Sequence, residues 1–320
     1  MNKALKTITI VLASLVLVGV VWANRYGIYD FIVLFNYKAP NTVATLATDD
    51  TMTDKGRRLF YVNKPQISDR EQFNTQCKTT EQTVVLGCYT GAHIYIFKVD
   101  DPELKGVEQV TAAHEMLHAA YNRLSGSEKK RVDALVNAAY KKLNDPRITV
   151  LAASYEKQEP GSVPNELHSI LATEVKDLGN ELESYYKQYF TNRSKVVGYS
   201  EGYAQVFEDL RSQVSNYDAD LALRKSQINS LEDELQQMAD NLKTQKSNMD
   251  SLLSDGRVAA YNAQVPDYNA SVNTYNEELA RLRQLIEEYN AIVVARNNVA
   301  IEQQNLAQNL NSRLSAIPNQ

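Results

Sequence analysis

The sequence predicts a small α+β domain with a short mixed sheet, followed by an all-α antiparallel coiled-coil hairpin. Two observations support this class. Strand-like stretches give way to stretches of helical periodicity in the middle of the chain, and beyond about residue 200 the chain is polar, helix-forming and almost free of Gly and Pro. We therefore divide the 320 residues into an apolar amino-terminal segment 1–24, a domain 25–200 and a hairpin 201–320.

Composition limits the classes of partner. The chain has 34 Lys and Arg against 39 Asp and Glu, a net charge of −5, so we expect no nucleic-acid partner. At 43% hydrophobic it can bury a real core. Cys77 and Cys88 lie 11 positions apart around strand-like residues, which favours a disulfide formed in an oxidising compartment. Two free buried thiols are the alternative.

The amino-terminal segment predicts a membrane anchor. Lys3 and Lys6 precede an uncharged run at 7–23, which is at the short limit for a helix that crosses a hydrocarbon core of about 30 Å. Trp22 and Tyr26 stand where interfacial aromatic residues occur, and the lysines place the amino terminus in the cytoplasm. The localisation that follows is the cell membrane, with a single span and the bulk of the chain extracytoplasmic.

Two points about this segment stay open from the residues. Val21-Trp22-Ala23 also suits a signal peptidase, so a cleaved signal peptide that leaves a mature start at Asn24 is the competing interpretation. Both interpretations export the protein. The apolar stretch 28–37 either continues the membrane-proximal helix or forms a first element that packs on the domain.

The domain is expected to place strands before helices. A short helix is plausible at Thr51–Tyr61, and strands are expected around 82–90 and 93–99. Helical periodicity then begins at Val107. The expected helices are one from Val107 to Ser125-Gly126, one capped by Ser127 and ended by Asn144-Asp145-Pro146, and one over 165–178 stopped at Gly179.

The carboxy-terminal region carries two seams of apolar residues. The first runs from Phe207 to Leu252 in alternating steps of three and four, and the second runs from Val265 to Val293. A break at 254–256 (Ser-Asp-Gly) separates them. The pattern predicts an antiparallel hairpin within one chain, with pairing between chains as the alternative. Residues 201–320 are therefore a candidate surface for a protein partner or for self-association.

His114-Glu115-Met116-Leu117-His118 is an HExxH motif on a predicted helix. Two imidazoles four residues apart lie on one helical face and can bind one Zn²⁺, so His114 and His118 are the candidate ligands. Zinc lowers the pKa of water to about 7, and Glu115 is placed to act as the general base on that water. Histidines that only hydrogen-bond inside a buried helix are the structural alternative.

A catalytic zinc needs a third protein ligand and an open fourth position. Glu166 is the first candidate, at the start of the third expected helix, and Glu174 lies about two turns later on nearly the same face. His168 is the remaining nearby imidazole. His168 or Tyr155 could donate a hydrogen bond to the carbonyl oxygen under attack.

At these residues the sequence resembles the zincin metallopeptidases, and among them the gluzincins, whose third ligand is a Glu from a later helix. The HExxH residues match fully, and Asn165-Glu166 and Ser169 resemble the corresponding helix. The match departs at Ile170, where the family pattern has an Asp that supports a ligand histidine. The resemblance implies a zincin-like domain, zinc bound by His114, His118 and Glu166, and an edge strand that binds extended substrates.

These observations predict a membrane-anchored, extracytoplasmic, zinc-dependent peptidase that acts on a peptide or protein substrate. A cell-wall peptide hydrolase localised by its coiled coil has the same chemistry and differs in substrate. A non-catalytic adhesion or scaffold protein that works through its coiled coil is the alternative from another class. The sequence does not identify the substrate.

Overall fold

A computed structural model of the chain describes residues 3–78 and 85–313, and these residues are mostly helical. Over those ranges the chain divides into two compact units. The first unit joins the residues up to Val206 with those from Leu306 onward, and the second unit is Phe207–Asn305. Each unit has its own hydrophobic core.

The elements follow one another in this order. The helices that begin and end in the first unit are α1 (Lys3–Ala23), α2 (Arg25–Leu34), α3 (Asn41–Asp49), α4 (Asp54–Val62), α5 (Arg70–Gln76), α6 (Val107–Asn122), α7 (Gly126–Lys142), α8 (Pro146–Gln158), α9 (Val163–Glu174) and α10 (Asn180–Tyr186). The strands are β1 (Gln66–Ser68), β2 (Gly87–Tyr89) and β3 (Ile94–Phe97). The long helices are α11 (Arg193–Ser254) and α12 (Val258–Leu310).

The described strands form one small mixed sheet in the order β1-β3-β2. β3 is central, parallel to β1 and antiparallel to β2, with Cys88 opposite Tyr95. The mixed sheet and the strand at 93–99 are confirmed. Of the strand expected around 82–90, only Gly87–Tyr89 is strand, and positions 79–84 lie outside the described residues. The sequence missed β1 because three residues are too few to show alternation.

Helices α6 and α9 form the centre of the first unit. Met116 and Leu117 from α6 and Ile170 and Leu171 from α9 are buried in the same cluster. Ile96 of β3 joins them from the sheet. The HExxH helix is therefore held between the sheet and α9, and its backbone cannot shift without disturbing the main core.

Helix signals in the sequence were partly misassigned. Ser125, not Ser127, caps α7, because its hydroxyl accepts from the Glu128 amide while Glu128 accepts from the Ser125 amide. Asp145-Pro146, which the sequence predicts only as a helix end, also starts α8. Asp145 accepts hydrogen bonds from the amides of Arg147 and Ile148, and Pro146 occupies the first turn.

The amino-terminal helices are bent relative to each other. Among the described helices, none alone combines the length and apolar content of a membrane span, but Val11–Ala23 and Arg25–Leu34 together do so, with a bend of 61° between them. The helix expected over 1–24 is present as α1, and it reaches the apolar length of a span only when α2 is counted with it. α2 packs on α4, so the stretch 28–37 begins as a separate element on the domain.

Cys77 and Cys88 form a disulfide, with their Cα atoms 6.0 Å apart. The bond joins the end of α5 to β2, and both cysteines belong to a small second cluster with Phe73 and Phe97. The predicted pairing is therefore confirmed. The disulfide lies at one edge of the sheet, because Cys88 belongs to β2, the strand that approaches the HExxH helix.

The second unit is an antiparallel pairing of α11 with α12. Arg224 pairs with Glu288 at 2.6 Å, and Arg296 pairs with Asp218 at 3.0 Å, so the partners run in opposite directions along the two helices. The hairpin within one chain is confirmed. The turn falls where the sequence predicts it, and Gly256 adopts a φ of 73° there, which favours glycine.

Candidate metal centre

Helix α6 presents the side chains of the HExxH motif together. The rings of His114 and His118 lie edge to face with their centroids 4.7 Å apart, as expected for residues one turn apart on one face. His114, Glu115 and His118 each offer a ligand atom, and these atoms lie within 4.8 Å of one another. This group could hold a metal ion.

Glu166 reaches the same point from α9. Its Oε2 lies 3.8 Å from Nε2 of His114 and 3.6 Å from Nε2 of His118. Glu166 stands in the first turn of α9, and the packing of α9 on α6 brings this turn against the histidines. The three residues predicted as ligands are therefore brought together.

The spacing of these three atoms fits a small metal ion. Ligand atoms at about 2.0–2.1 Å from a tetrahedral zinc are about 3.3 Å from one another. The two distances to Glu166 Oε2 are 0.3–0.5 Å longer, and small rotations of the carboxylate would close them. Two imidazole nitrogens and one carboxylate oxygen are also a donor set that zinc accepts.

The two alternative third ligands have other partners. Glu174 lies on the same cleft but pairs with Arg147, with 2.6 Å between its Oε2 and the guanidinium. His168 is fully buried, and its Nε2 is 3.0 Å from the hydroxyl of Tyr185. The geometry therefore favours Glu166 among the three candidates.

Three buried tyrosines surround His168. Tyr186 donates a hydrogen bond to the His168 carbonyl at 2.7 Å, and the hydroxyls of Tyr185 and Tyr189 are 3.3 Å apart. All three are buried. Burial lowers the pKa of His168 to about 3, so its imidazole is neutral and structural.

The charges of the ligand group are strongly coupled. Burial opposes protonation of His114, but the hydrogen bond to Glu166 and the charges of Glu115, Glu166 and Glu174 raise its pKa to about 9. Burial lowers the pKa of His118 to about 4. Burial also opposes ionisation of Glu166, yet His118 and His114 hold its pKa below the usual range. The group therefore binds one proton, on His114, beside the ionised Glu166 and the neutral imidazole of His118.

Glu115 lies beside the ligand group and against the sheet. It is 6% exposed, and the backbone of β2 approaches it closely at Gly87. A Cβ at position 87 would lie 2.7 Å from Glu115 Oε1 and 2.5 Å from a methyl group of Thr111. Only glycine lets the strand come this near, and a glycine inside a strand is the signal that could have identified this position.

The ligand group opens into a cleft of about 710 Å³. One wall is β2, which is an edge of the described sheet, and the other wall includes Tyr155 of α8 and Glu174 of α9. A hydrogen bond from Tyr155 helps to lower the pKa of Glu166, so Tyr155 supports a ligand. The cleft is large enough to take several residues of an extended peptide.

Two supporting residues escaped the sequence analysis in this role. Ser169, noted as a resemblance, places its hydroxyl 3.5 Å from Nδ1 of His118, where it can orient the ring. Arg147 neutralises Glu174, and it lies in α8, a helix that the sequence did not predict.

Searches of protein-family models, of curated proteins and of solved structures find no match to this chain.

Proposed function

We propose that this protein is a membrane-anchored, extracytoplasmic zinc peptidase of zincin-like architecture. One observation carries the proposal: Oε2 of Glu166 lies 3.8 Å from Nε2 of His114 and 3.6 Å from Nε2 of His118, and all three residues line one open cleft. Two imidazoles and a carboxylate brought together from two helices are a donor set that zinc accepts.

In this proposal His114, His118 and Glu166 hold Zn²⁺. The metal, when bound, activates water and polarises the carbonyl of the scissile peptide bond. Ser169 and Tyr155 orient one imidazole and the carboxylate, and this second layer fixes the ligands in place. Glu174 is a wall residue, because Arg147 already neutralises it.

Glu115 is the proposed general base. Its carboxylate accepts a proton from the attacking water and passes that proton to the nitrogen of the leaving amine. The adjacent β2 backbone excludes bulk water from one side of the carboxylate, since Gly87 lies against it. An extended substrate can pair with β2 and so lie between the strand and the ligand group.

The proposed location follows from the amino terminus and the cysteines. The run 7–23 is uncharged and follows Lys3 and Lys6, and the described side chains of α1 within it are exposed. A disulfide between Cys77 and Cys88 is compatible with export into an oxidising compartment. We therefore place the cleft outside the cytoplasm, with the anchor retained.

The test compares the full chain in proteoliposomes with its Glu115→Gln variant. We expect zinc at one equivalent in both, chelator-sensitive cleavage of a peptide mixture by the wild type, and a rate lower by about 10²–10⁴-fold in the variant. Glu181→Gln, an exposed position on α10, is the matched control and should cleave normally. Equal rates for wild type and Glu115→Gln would refute the mechanism.

The hairpin carries a second proposed activity, that of binding a protein partner or another copy. Its surface exposes large apolar side chains, among them Leu223, Val294 and Ile301 at 59%, 60% and 55%. Exposed apolar side chains on paired helices can contribute to a contact with a partner. A scaffold or adhesion role requires only this part of the chain. Zinc-free protein that keeps its surface partners would favour that role over peptidase activity.

A further inference from the structure

One face of helix α2 packs against the rest of the first unit. Asp30, 6% exposed, pairs with Arg123 at 2.8 Å, and the Arg123 guanidinium also lies 5.0 Å from the centre of the Tyr26 ring. Arg123 is the residue that follows α6, the helix of the HExxH motif. A buried ion pair of this kind fixes the rotation of α2 about its own axis.

The opposite face of α2 is apolar and uncovered. Ile28, Phe31, Ile32 and Phe35 are 42%, 68%, 67% and 71% exposed. Their spacing of three and four residues places them on one side of a helix, away from Asp30. A soluble surface does not leave a continuous stripe of this kind without an occupant.

The chain that leads into α2 indicates the occupant. The side chains of α1 from Val11 to Trp22 are exposed and, except for Ser14, apolar, which suits lipid. At the bend, the Arg25 guanidinium lies 4.5 Å from the centre of the Trp22 ring. Tryptophan and arginine together are typical of the headgroup region, so α1 leaves the bilayer where α2 begins.

α2 itself does not suit the bilayer core. Its Asp30 is paired with a residue of the folded unit, and Arg25 stands in its first turn. Moving both charges into hydrocarbon is strongly unfavourable. A helix with one apolar face and one charged, docked face instead lies in the plane of the interface.

The residues that contact the docked face of α2 lie next to one end of the cleft. Arg123 is five residues from His118 along α6, a rise of about 7.5 Å. Asn122, the residue before it, lines the cleft together with Tyr89 at the end of β2. Burial raises the pKa of Tyr89, the hydrogen bond with Asn122 and the charge of Arg123 lower it, and Tyr26 and Tyr29 of α2 are near enough to contribute.

We propose that the apolar face of α2, formed by Ile28, Phe31, Ile32 and Phe35, lies in the headgroup region of the bilayer that α1 enters. The Asn122–Tyr89 end of the cleft then faces the membrane surface. The substrate class that follows rests on the peptidase proposal. With the cleft in this position, the substrates are polypeptide segments close to the membrane, such as the stretches that flank a span or a lipid anchor.

The position of α2 can be measured without catalysis. In full-length protein with Trp22→Phe, a single tryptophan is introduced as Phe31→Trp, or as Val150→Trp at an equally exposed position on α8. The protein is placed in vesicles with lipids brominated near the headgroup or near the bilayer centre. We expect Phe31→Trp to be quenched most by the shallow bromines and Val150→Trp to be little quenched. Absence of quenching, or strongest quenching from the centre, would overturn the proposal.

The substrate class is tested with one casein-derived fluorogenic peptide, either free or tethered to a lipid in the same proteoliposomes. We expect the wild type to cleave the tethered form about tenfold faster or more, because α2 holds the Asn122–Tyr89 end of the cleft against the surface that carries the tethered peptide. The double variant Phe31→Ser, Ile32→Ser should lose this gain and cleave the free peptide normally. A variant that keeps the gain contradicts the proposed role of α2. If the wild type cleaves neither peptide, the peptidase proposal fails, and quenching alone decides where α2 lies.

Discussion

The contacts inside the first unit differ in kind from those inside the second. In the first unit, contacts join residues far apart in sequence: Glu166 meets the HExxH helix, a disulfide joins α5 to β2, and the Ser312 hydroxyl donates to the Val85 carbonyl at 2.7 Å. In the second unit, successive turns of α11 meet successive turns of α12, as with Leu231 and Leu235 beside Leu282.

This difference teaches where function can be concentrated. Repeated helix pairing distributes stability over many similar contacts, so no single residue is essential. The first unit instead brings unlike groups to one point, and each contact there is unique. We therefore expect changes in the first unit to alter metal binding or local stability sharply, and changes in the hairpin to be milder and confined to it.

The largest effect is expected at the third ligand. Glu166→Gln removes the carboxylate charge between His114 and His118, so zinc affinity should fall by a hundredfold or more, about 2.7 kcal/mol. Titration with a competing chelator measures it. Glu174→Gln is the matched control, because Glu174 pairs with Arg147, and its zinc affinity should stay within a few-fold of wild type. The opposite ranking would make Glu174 the ligand.

The disulfide gives the next effect. Replacing Cys77 and Cys88 together by serine frees a short loop, and the free energy of unfolding of the first unit should fall by about 2–3 kcal/mol. Hydrogen exchange read by mass spectrometry resolves the two units, and protection in α5 and the sheet should fall while the hairpin is unchanged. A reductant should reproduce this result in the wild type. Equal losses in both units would contradict their independence.

The hairpin offers the complementary change. Leu235 is 6% exposed in the core of the second unit, so Leu235→Ala should cost about 2 kcal/mol of hairpin stability through the cavity it leaves. Leu223→Ala, at a side chain that is 59% exposed, should cost less than about 0.5 kcal/mol. Exchange protection along both helices measures the two. A parallel drop in zinc affinity for Leu235→Ala would show that the units are coupled.

The sequence predicted the hairpin well and the first unit less completely. Heptad spacing is a local property, so both seams and the turn at 254–256 follow from the residues. The helix of His114 and His118 is equally local, since one turn places both rings on one face. Which acidic residue meets them is decided by the packing of α6 on α9, and that packing is a long-range property.

The missed features have the same origin. Asp145-Pro146 ends one helix and begins another, and periodicity alone does not separate the two meanings. The contact of Gly87 with Glu115 depends on where β2 crosses α6, which no pattern within either segment specifies. The docking of α2 depends on one ion pair between Asp30 and Arg123, residues that are distant in the chain.

The last effect, measured as a slope with pH, concerns Asp50, a fully buried carboxyl group at the end of α3 whose oxygens lack a hydrogen-bond partner among the described residues. Burial, and to a smaller extent the charge of Asp49, raise the pKa of Asp50 well above the usual value, while the charge of Lys195 lowers it. A raised folded-state pKa means that the native state holds a proton that the unfolded chain releases above about pH 4. The first unit therefore loses stability as the pH rises from about 4 towards the pKa of Asp50 in the folded state, with a slope of up to about 1.4 kcal/mol per pH unit.

Asp50→Asn should remove this slope and make the first unit more stable than wild type at pH 8, with the difference shrinking towards pH 4. Urea unfolding across this range measures it, with the part-exposed Asp49→Asn as control, and a wild-type slope that survives in Asp50→Asn would assign the pH dependence to another group.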